Sequence, residues 1–308
     1  MRCAAIDVGT NTTRLLIAEK KGGKLQETCR DLATTRLGSG LRRTGKLSAA
    51  GKVATVAAVR DFAAKARRRE CDFVRIVATS AMREAMDGPD FARELEAAAG
   101  LQVEILPPDV EAWYSYLGVT KSLVTNRQTL IFDLGGGSCE LLWEEKNGLQ
   151  TLSFPLGALY LTDAYLQHDP PLAEEVAAAR KHIRRCLYGC VPPAVKLVGV
   201  GGTVTSLAAV VKQLPLYDPA QIHGFYLEKR LVEEKLQLLL QLREAERALL
   251  PGMQPERARI LPAGVLVVDE LLLAANAPGF TVSEGDLLLG ALYAVILPAS
   301  ALPRPPGE

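Results

Sequence analysis

The chain has 308 residues, of which 48% are hydrophobic and 23% charged, and its formal net charge is +1. This composition is typical of a globular protein and excludes collagen, coiled coils and wholly disordered chains, while the balanced charge argues against a general binder of nucleic-acid polymers. The longest apolar stretch is too short to span a bilayer and no CxxC pair joins the six cysteines, so we expect a cytoplasmic protein with free thiols and no membrane partner.

The first part of the chain predicts three strands followed by alternating helices and strands. Glycines at positions 9, 22 and 23 separate the first strands, and Ser48 is a helix N-cap candidate. The predicted strands cover residues 2–8, 14–19, 25–36, 73–78 and 102–106, and the predicted helices cover residues 48–69, 87–100 and 109–122.

The same order then begins again. Strands are predicted at residues 129–134, 138–144, 149–154, 196–200 and 280–283, and helices at residues 158–167, 172–187, 203–212, 228–242, 256–275 and 284–297. The proline-rich end of the chain from Pro303 is predicted to be frayed.

Each half carries a similar motif at its first turn. Asp7-Val8-Gly9-Thr10-Asn11-Thr12 is matched by Asp133-Leu134-Gly135-Gly136-Gly137-Ser138, 126 positions later. This spacing indicates an internal duplication rather than a solenoid repeat. We therefore predict an α/β protein of two similar domains, residues 1–125 and 126–308, with a cleft between them. The last helix is predicted either to belong to the second domain or to pack back on the first.

The motif itself suits phosphate binding. Glycines allow backbone N–H groups to approach an anion closely, and the hydroxyl residue adds a further donor. The carboxylate would be repelled by phosphate, so it is better suited to a divalent cation or a water molecule beside it. A single such turn is often only a hairpin, whereas two at equivalent positions favour a functional site.

Several segments resemble the exopolyphosphatase and guanosine pentaphosphate phosphohydrolase (Ppx/GppA) family, within the acetate and sugar kinase/Hsp70/actin superfamily. The matches extend over nearly the whole chain, and the segment around Asp133 is the most specific. They are residues 5–12, 36–41, 78–85, 131–141, 198–203, and 256–258 with 261–264. The resemblance implies two duplicated RNase H-like (actin-like ATPase) domains with the active site in the interdomain cleft, and the short, two-domain form of the family.

The resemblance also implies hydrolysis of phosphoanhydride bonds with Mg²⁺, with Mn²⁺ as an alternative ion. Glu111 aligns with the catalytic base of the family, and Arg83 is the candidate for stabilising the transition state. Without the resemblance, Glu111 is equally an acidic residue that favours a helix N-terminus, and Arg83 a partner in a surface salt bridge. Asp133, Glu140 and Asp7 are the candidate metal ligands. The candidate phosphate-binding residues are Gly9, Thr10, Asn11, Thr12, Gly135, Gly136, Gly137, Ser138, Gly201, Gly202 and Thr203.

Three positions depart from the family pattern: Val110, Leu288 and Leu289 stand where acidic or basic residues are usual. The predicted activity is the release of orthophosphate from the ends of inorganic polyphosphate. Hydrolysis of the 5′-terminal phosphate of guanosine pentaphosphate is the alternative, and a small-molecule kinase or a non-catalytic sensor of polyphosphate or alarmone is more remote. The leucine-rich helical segments provide either core or the interface of a homodimer.

Overall fold

A computed structural model describes residues 1–146, 148–192 and 196–297. The chain divides into two units. Unit 1 contains residues 1–118 together with the chain from residue 286, and unit 2 contains residues 119–285. The proline-rich end that we predicted to be frayed lies outside the described residues.

The strands of unit 1 are β1 (Arg2–Val8), β2 (Thr12–Lys21), β3 (Lys24–Thr34), β4 (Phe73–Ala78) and β5 (Val103–Ile105). Its helices are α1 (Leu41–Thr44), α2 (Ala49–Arg68), α3 (Ser80–Glu84), α4 (Gly88–Ala99), α5 (Pro108–Ser122), which continues past the unit boundary, and α13 (Leu287–Ile296).

The sheet of unit 1 has the order β3-β2-β1-β4-β5 in the described chain. Strand β1 pairs antiparallel with β2 and parallel with β4. Because side chains alternate across a strand, β1 contributes side chains to two hydrophobic cores, one on each face of the sheet. Ile6 packs with residues of α2 and α4 on one face, and Ala5 packs with Leu288 and Leu292 of α13 on the other.

The strands of unit 2 are β6 (Thr129–Leu134), β7 (Cys139–Glu145), β8 (Gly148–Phe154), β9 (Lys196–Val200), β10 (Tyr226–Glu228) and β11 (Gly279–Val282). Its helices are α6 (Ala158–Tyr165), α7 (Ala173–Leu187), α8 (Gly202–Val211), α9 (Pro219–Ile222), α10 (Lys229–Gln241), α11 (Glu244–Arg247) and α12 (Leu261–Ala274), with a short 3₁₀ turn at Pro255–Arg257.

The sheet of unit 2 has the order β10-β11-β9-β6-β7-β8. Strand β6 pairs antiparallel with β7 and parallel with β9, as β1 does with β2 and β4. The series β8-β7-β6-β9-β11 therefore repeats the series β3-β2-β1-β4-β5 of unit 1. This repeated α/β architecture confirms the predicted fold class of two duplicated RNase H-like units.

The last helix, α13, packs on the sheet of unit 1, which is one of the two places that the sequence allowed for it. Its first core position, Leu288, is fully buried against β1 and β2, so α13 belongs to unit 1, and unit 2 ends at Gly285. The helix begins at Leu287 rather than at residue 284 because the Asp286 carboxylate caps it, accepting the backbone N–H groups of Leu288 and Leu289. The chain passes from unit 1 to unit 2 between residues 118 and 119, whereas the sequence predicted the boundary at residue 125.

The helix predicted over residues 256–275 is wrong in its first part. The structure has a 3₁₀ turn there, and α12 begins only at Leu261. Pro262 explains this start, because a proline ring is accommodated in the first turn of a helix and clashes further inside it. Strand β10 was missed because three residues are too few for a period-2 pattern. Among the described residues, no helix has the length and apolar character needed to cross a membrane.

Candidate active site

The first-turn motifs of the two units adopt the same local structure. We call residues 9–12 loop 1 and residues 135–138 loop 2. In loop 1 the Gly9 N–H donates to the Thr12 carbonyl at 3.0 Å, and in loop 2 the Gly135 N–H donates to the Ser138 carbonyl at the same distance. Both loops therefore close as tight hairpins between antiparallel strands, as the duplicated motifs predict.

Carbonyl groups of loop 2 are hydrogen-bonded to the first turn of α6. The Gly135 carbonyl accepts the Ala158 N–H, and the Gly136 carbonyl accepts the N–H groups of Leu159 and Tyr160. Gly157 lies directly against the backbone of Gly136, where a β-carbon would clash. Since the loop carbonyls bond to the first turn of α6, the loop is fixed without using its own N–H groups in these contacts.

The acidic residues that precede the loops have different partners. Asp133 on β6 lies opposite Glu140 on β7, whereas Asp7 on β1 lies opposite Arg14 on β2. Residues opposite each other on antiparallel strands project from the same face, so unit 2 presents two carboxylates where unit 1 presents an ion pair. Glu140 is buried and accepts the Ser153 hydroxyl at 2.9 Å.

Asp7 is buried and one of its oxygens is fully engaged. Its Oδ2 accepts the Arg14 Nε at 3.0 Å and the Arg14 Nη2 at 2.6 Å, while Arg14 Nη1 donates to Asp286 Oδ2 at 2.5 Å. Its Oδ1 has no hydrogen-bond partner among the described residues. Burial raises the pKa of Asp7, and the guanidinium of Arg14 opposes that shift. Arg14 was not identified from the sequence; its position seven residues after Asp7, equivalent to that of Glu140, was the available signal.

A third glycine-rich loop lies beside Asp133. We call residues 201–203 loop 3. Gly201 has a φ of 98°, which a side chain would strain, and a β-carbon there would lie 2.5 Å from the Leu134 carbonyl and 3.2 Å from Asp133 Oδ1. Gly202, the first residue of α8, lies against the guanidinium of Arg257. Loop 3 therefore combines a helix N-terminus with a buried arginine. Its third residue, Thr203, is buried beneath it against Gly264.

Arg83 and Glu111 form a pair. Arg83 Nη1 donates to Glu111 Oε2 at 2.8 Å and to the Leu106 carbonyl at 2.7 Å. Glu111 is in the first turn of α5, and its side chain is 14% exposed. The other guanidinium nitrogens of Arg83 make no hydrogen bond within the described chain. The candidate base and the candidate for stabilising the transition state, 28 residues apart, are thus joined by one hydrogen bond.

The short helix α3 connects this pair to loop 1. Ser80, its first residue, shares a hydrogen bond of 2.9 Å with the Thr10 hydroxyl, and Arg83 follows one turn later. The structure therefore brings together the candidates of unit 1 as one group, and it brings together Asp133, Glu140, loop 2 and loop 3 as a second group in unit 2.

The residues of the second group suit a magnesium ion. Mg²⁺ prefers oxygen ligands and is usually held by one or two carboxylates, with water and phosphate completing its shell. Asp133 and Glu140 supply two carboxylates on one face of the sheet. No group of three or more His, Cys, Asp or Glu side chains with metal-binding geometry occurs in the described parts of the chain. Asp7 fits less well, since Arg14 holds its Oδ2 and only its Oδ1 remains.

Comparisons with known proteins identify the family of the chain. A family model described as the Ppx/GppA phosphatase family matches residues 16–297. The chain belongs to this family. Membership confirms the predicted resemblance and the prediction that the chain is an enzyme, a phosphoanhydride hydrolase. The family provides the expectation of a divalent metal, without distinguishing which one.

Individual relatives of the family cover nearly the whole chain. Exopolyphosphatase 2 of Mycobacterium tuberculosis is 34% identical over 312 aligned positions, covering 94% of this chain and 97% of that protein. The crystal structure of the Aquifex aeolicus Ppx/GppA family member is 29% identical, with a TM-score of 0.82, covering 96% of this chain and 97% of that one. An exopolyphosphatase structure from Cytophaga hutchinsonii, 22% identical, covers 96% and 98% with a TM-score of 0.87 and supports the fold.

Proposed function

We propose that this family member is a Mg²⁺-dependent exopolyphosphatase that releases orthophosphate from the ends of inorganic polyphosphate. The observation that carries the proposal is the 34% identity with exopolyphosphatase 2 across 94% of this chain. The hairpin loops and the carboxylate pair supply groups of the right chemistry for a phosphate substrate and its counter-ion.

In this proposal the three loops bind phosphate oxygens. Backbone N–H groups of loops 1 and 2, with the hydroxyls of Thr10, Thr12 and Ser138, are suited to a terminal phosphoryl group. Loop 3 adds the positive end of α8. Asp133 and Glu140 are the residues that would hold Mg²⁺, with Asp7 as a weaker candidate through Oδ1. The bound ion supplies neutralisation of charge on the phosphate oxygens.

Glu111 is the proposed general base. A water molecule attacks the terminal phosphorus, Glu111 accepts its proton, and the bond from phosphorus to the bridging oxygen breaks. The products are orthophosphate and a chain shorter by one phosphate. Arg83 keeps Glu111 in place through Nη1, and its remaining N–H groups are suited to the equatorial oxygens of the transition state.

The test is phosphate release by the purified protein with Mg²⁺, measured in parallel on short polyphosphate, long polyphosphate, guanosine pentaphosphate and ATP. We expect release from polyphosphate, and we expect Glu111→Gln to lower kcat by a factor of roughly 10²–10⁴. The amide oxygen of the variant still accepts from Arg83, so folding should be preserved. Glu104→Gln is a matched control, because Glu104 also pairs with an arginine of unit 1, Arg75 at 2.5 Å.

Each alternative has its own outcome. Release of phosphate from guanosine pentaphosphate alone would indicate that this alarmone, rather than polyphosphate, is the substrate. Transfer of phosphate from ATP to an acceptor would indicate a kinase, and binding of polyphosphate without release would indicate a sensor. If Glu111→Gln lost less than threefold in kcat, or no more than Glu104→Gln, Glu111 would not be the base.

A further inference from the structure

The segment that follows β3 is unusually basic. Between Asp31 and Asp61 the sequence contains no acidic residue, although the whole chain is nearly neutral. The same interval contains six basic residues: Arg36, Arg42, Arg43, Lys46, Lys52 and Arg60. The first four lie within residues 36–46, which we call the basic segment. The net charge of this segment is therefore strongly positive, and the composition of the chain as a whole conceals it.

The basic segment begins in direct contact with loop 1. The Arg36 N–H donates to the Asn11 carbonyl at 2.9 Å, and the Gly38 N–H donates to the Thr10 carbonyl at 2.9 Å. Gly38 also lies so close to the Thr10 side chain that a β-carbon would clash with it. These contacts fix the backbone of Arg36 beside the loop that is proposed to hold the terminal phosphate.

Arg36 has a backbone conformation that an arginine rarely adopts. Its φ is 50°, in the left-handed region, where glycine or asparagine is favoured. The Ser39 N–H donates to the Arg36 carbonyl at 3.1 Å, and Gly51 of α2 packs against the same carbonyl. Because its surroundings impose this conformation, an arginine here costs stability that a glycine would not, and strained residues of this kind concentrate at functional sites.

The charges of the basic segment are largely unneutralised. Arg36 is exposed. Arg42 pairs with Glu84 at 3.7 Å, and no ion pair joins Arg36, Arg43 or Lys46 to an acidic side chain of the described residues. By contrast, in the basic end of α2, Arg67 donates to the Ala99 carbonyl and Arg68 approaches Asp61. Arg36, Arg43 and Lys46 are therefore available to an anion, and Arg36 is the one whose backbone contacts loop 1.

We propose that the basic segment binds the phosphate groups that follow the terminal one, with Arg36 as the residue that contacts them nearest to loop 1. The ligand class is a linear chain of anhydride-linked phosphates, for which a guanidinium offers paired hydrogen bonds as well as charge. This assignment rests on the proposed function, and it makes Arg36 a determinant of substrate affinity rather than of the chemical step.

The central variant is Arg36→Gly, which removes the side chain and also relieves the left-handed backbone. We expect it to weaken the binding of diimidotriphosphate, measured by titration calorimetry, by about 10- to 100-fold. On polyphosphate it should raise KM by a similar factor with kcat changed less than threefold, and its Tm should equal or exceed that of the wild type. Arg36→Lys should lose less affinity for diimidotriphosphate than Arg36→Gly, since it keeps the positive charge.

Two controls lie at the opposite end of α2, which spans roughly 30 Å. Glu70→Gly relieves another left-handed residue, with a φ of 52°. Arg68→Ala removes an exposed arginine from the same helix. Both should bind diimidotriphosphate as the wild type does. The proposal is overturned if Arg36→Gly retains wild-type affinity, or if either control loses as much as it does.

The two proposals can fail separately. If the wild type hydrolyses polyphosphate and Arg36→Gly behaves identically in KM and in binding, only the role of Arg36 is wrong. If the wild type releases no phosphate, the proposed function is wrong. The diimidotriphosphate titration then still decides whether Arg36 binds a phosphate chain, because this probe needs no turnover.

Discussion

The carboxylate pair of unit 2 leads to a prediction about stability in the absence of metal. Asp133 and Glu140 are opposite each other on β6 and β7, where β-carbons are typically about 5 Å apart. If the two carboxylate charges are separated by a similar distance, they repel by roughly 3 kcal/mol at an effective dielectric constant near 20. Glu140 is buried and cannot swing into water to escape this repulsion. The hydrogen bond from Ser153 offsets part of it.

Replacing one carboxylate should therefore stabilise the metal-free protein while abolishing its response to metal. We expect Asp133→Asn to raise the free energy of unfolding of the EDTA-treated protein by about 1–3 kcal/mol, as part of the repulsion is removed. Mg²⁺ at about 100 times its Kd should stabilise the wild type by about 2.7 kcal/mol and the variant by far less. Urea unfolding with EDTA and with a Mg²⁺ series measures both effects.

Ser153→Ala is the matched control. It removes a hydrogen bond to Glu140 but keeps both carboxylates, so it should lower metal-free stability by about 1 kcal/mol and retain the Mg²⁺ response. The reasoning is refuted if Asp133→Asn destabilises the metal-free protein, or if the variant keeps the full Mg²⁺ stabilisation of the wild type.

Two further predictions concern ion pairs and carboxylates that support the units. Arg14→Met should destabilise unit 1 by about 3–5 kcal/mol at pH 7, because the buried carboxylate of Asp7 loses its counter-ion. Adding Asp7→Asn should restore most of the lost free energy of unfolding, measured by urea unfolding. A double variant as unstable as the single one would contradict the explanation. Glu175 lies in the first turn of α7 and accepts N–H groups of Gln167, His168 and Leu172. Despite the opposing effect of burial, these bonds and the His168 ring lower the pKa of Glu175 to about 2. The contribution of Glu175 to the free energy of unfolding is therefore complete above its pKa in the unfolded chain, about 4.3, and declines as the pH falls toward 2. The stability difference between wild type and Glu175→Gln should shrink over that interval in unfolding experiments, and a constant difference would count against this assignment.

Much of the local structure was predictable because its signals lie in consecutive residues. Strands β1 and β6 were predicted with their observed ends, since each is an apolar run that a glycine turn closes. Helix α2 begins after Ser48, whose hydroxyl accepts the Gly51 N–H as the N-cap prediction requires. Loops 1 and 2 were recognisable because the duplication repeats their motif. The roles assigned to their residues remain predictions.

The tertiary structure decided the partners of these residues. Arg83 bonds to Glu111 across 28 positions, and Arg14 bonds to Asp286 across 272 positions. No periodicity or capping rule reports such pairs, because they depend on which distant segments the topology places side by side. The same reason explains Leu288, which departs from the family pattern in sequence and is a core residue of unit 1 in the structure. The sequence by itself therefore determined the repeated elements and the loop motifs, and the packing of distant segments determined which charges neutralise one another and which remain for a ligand.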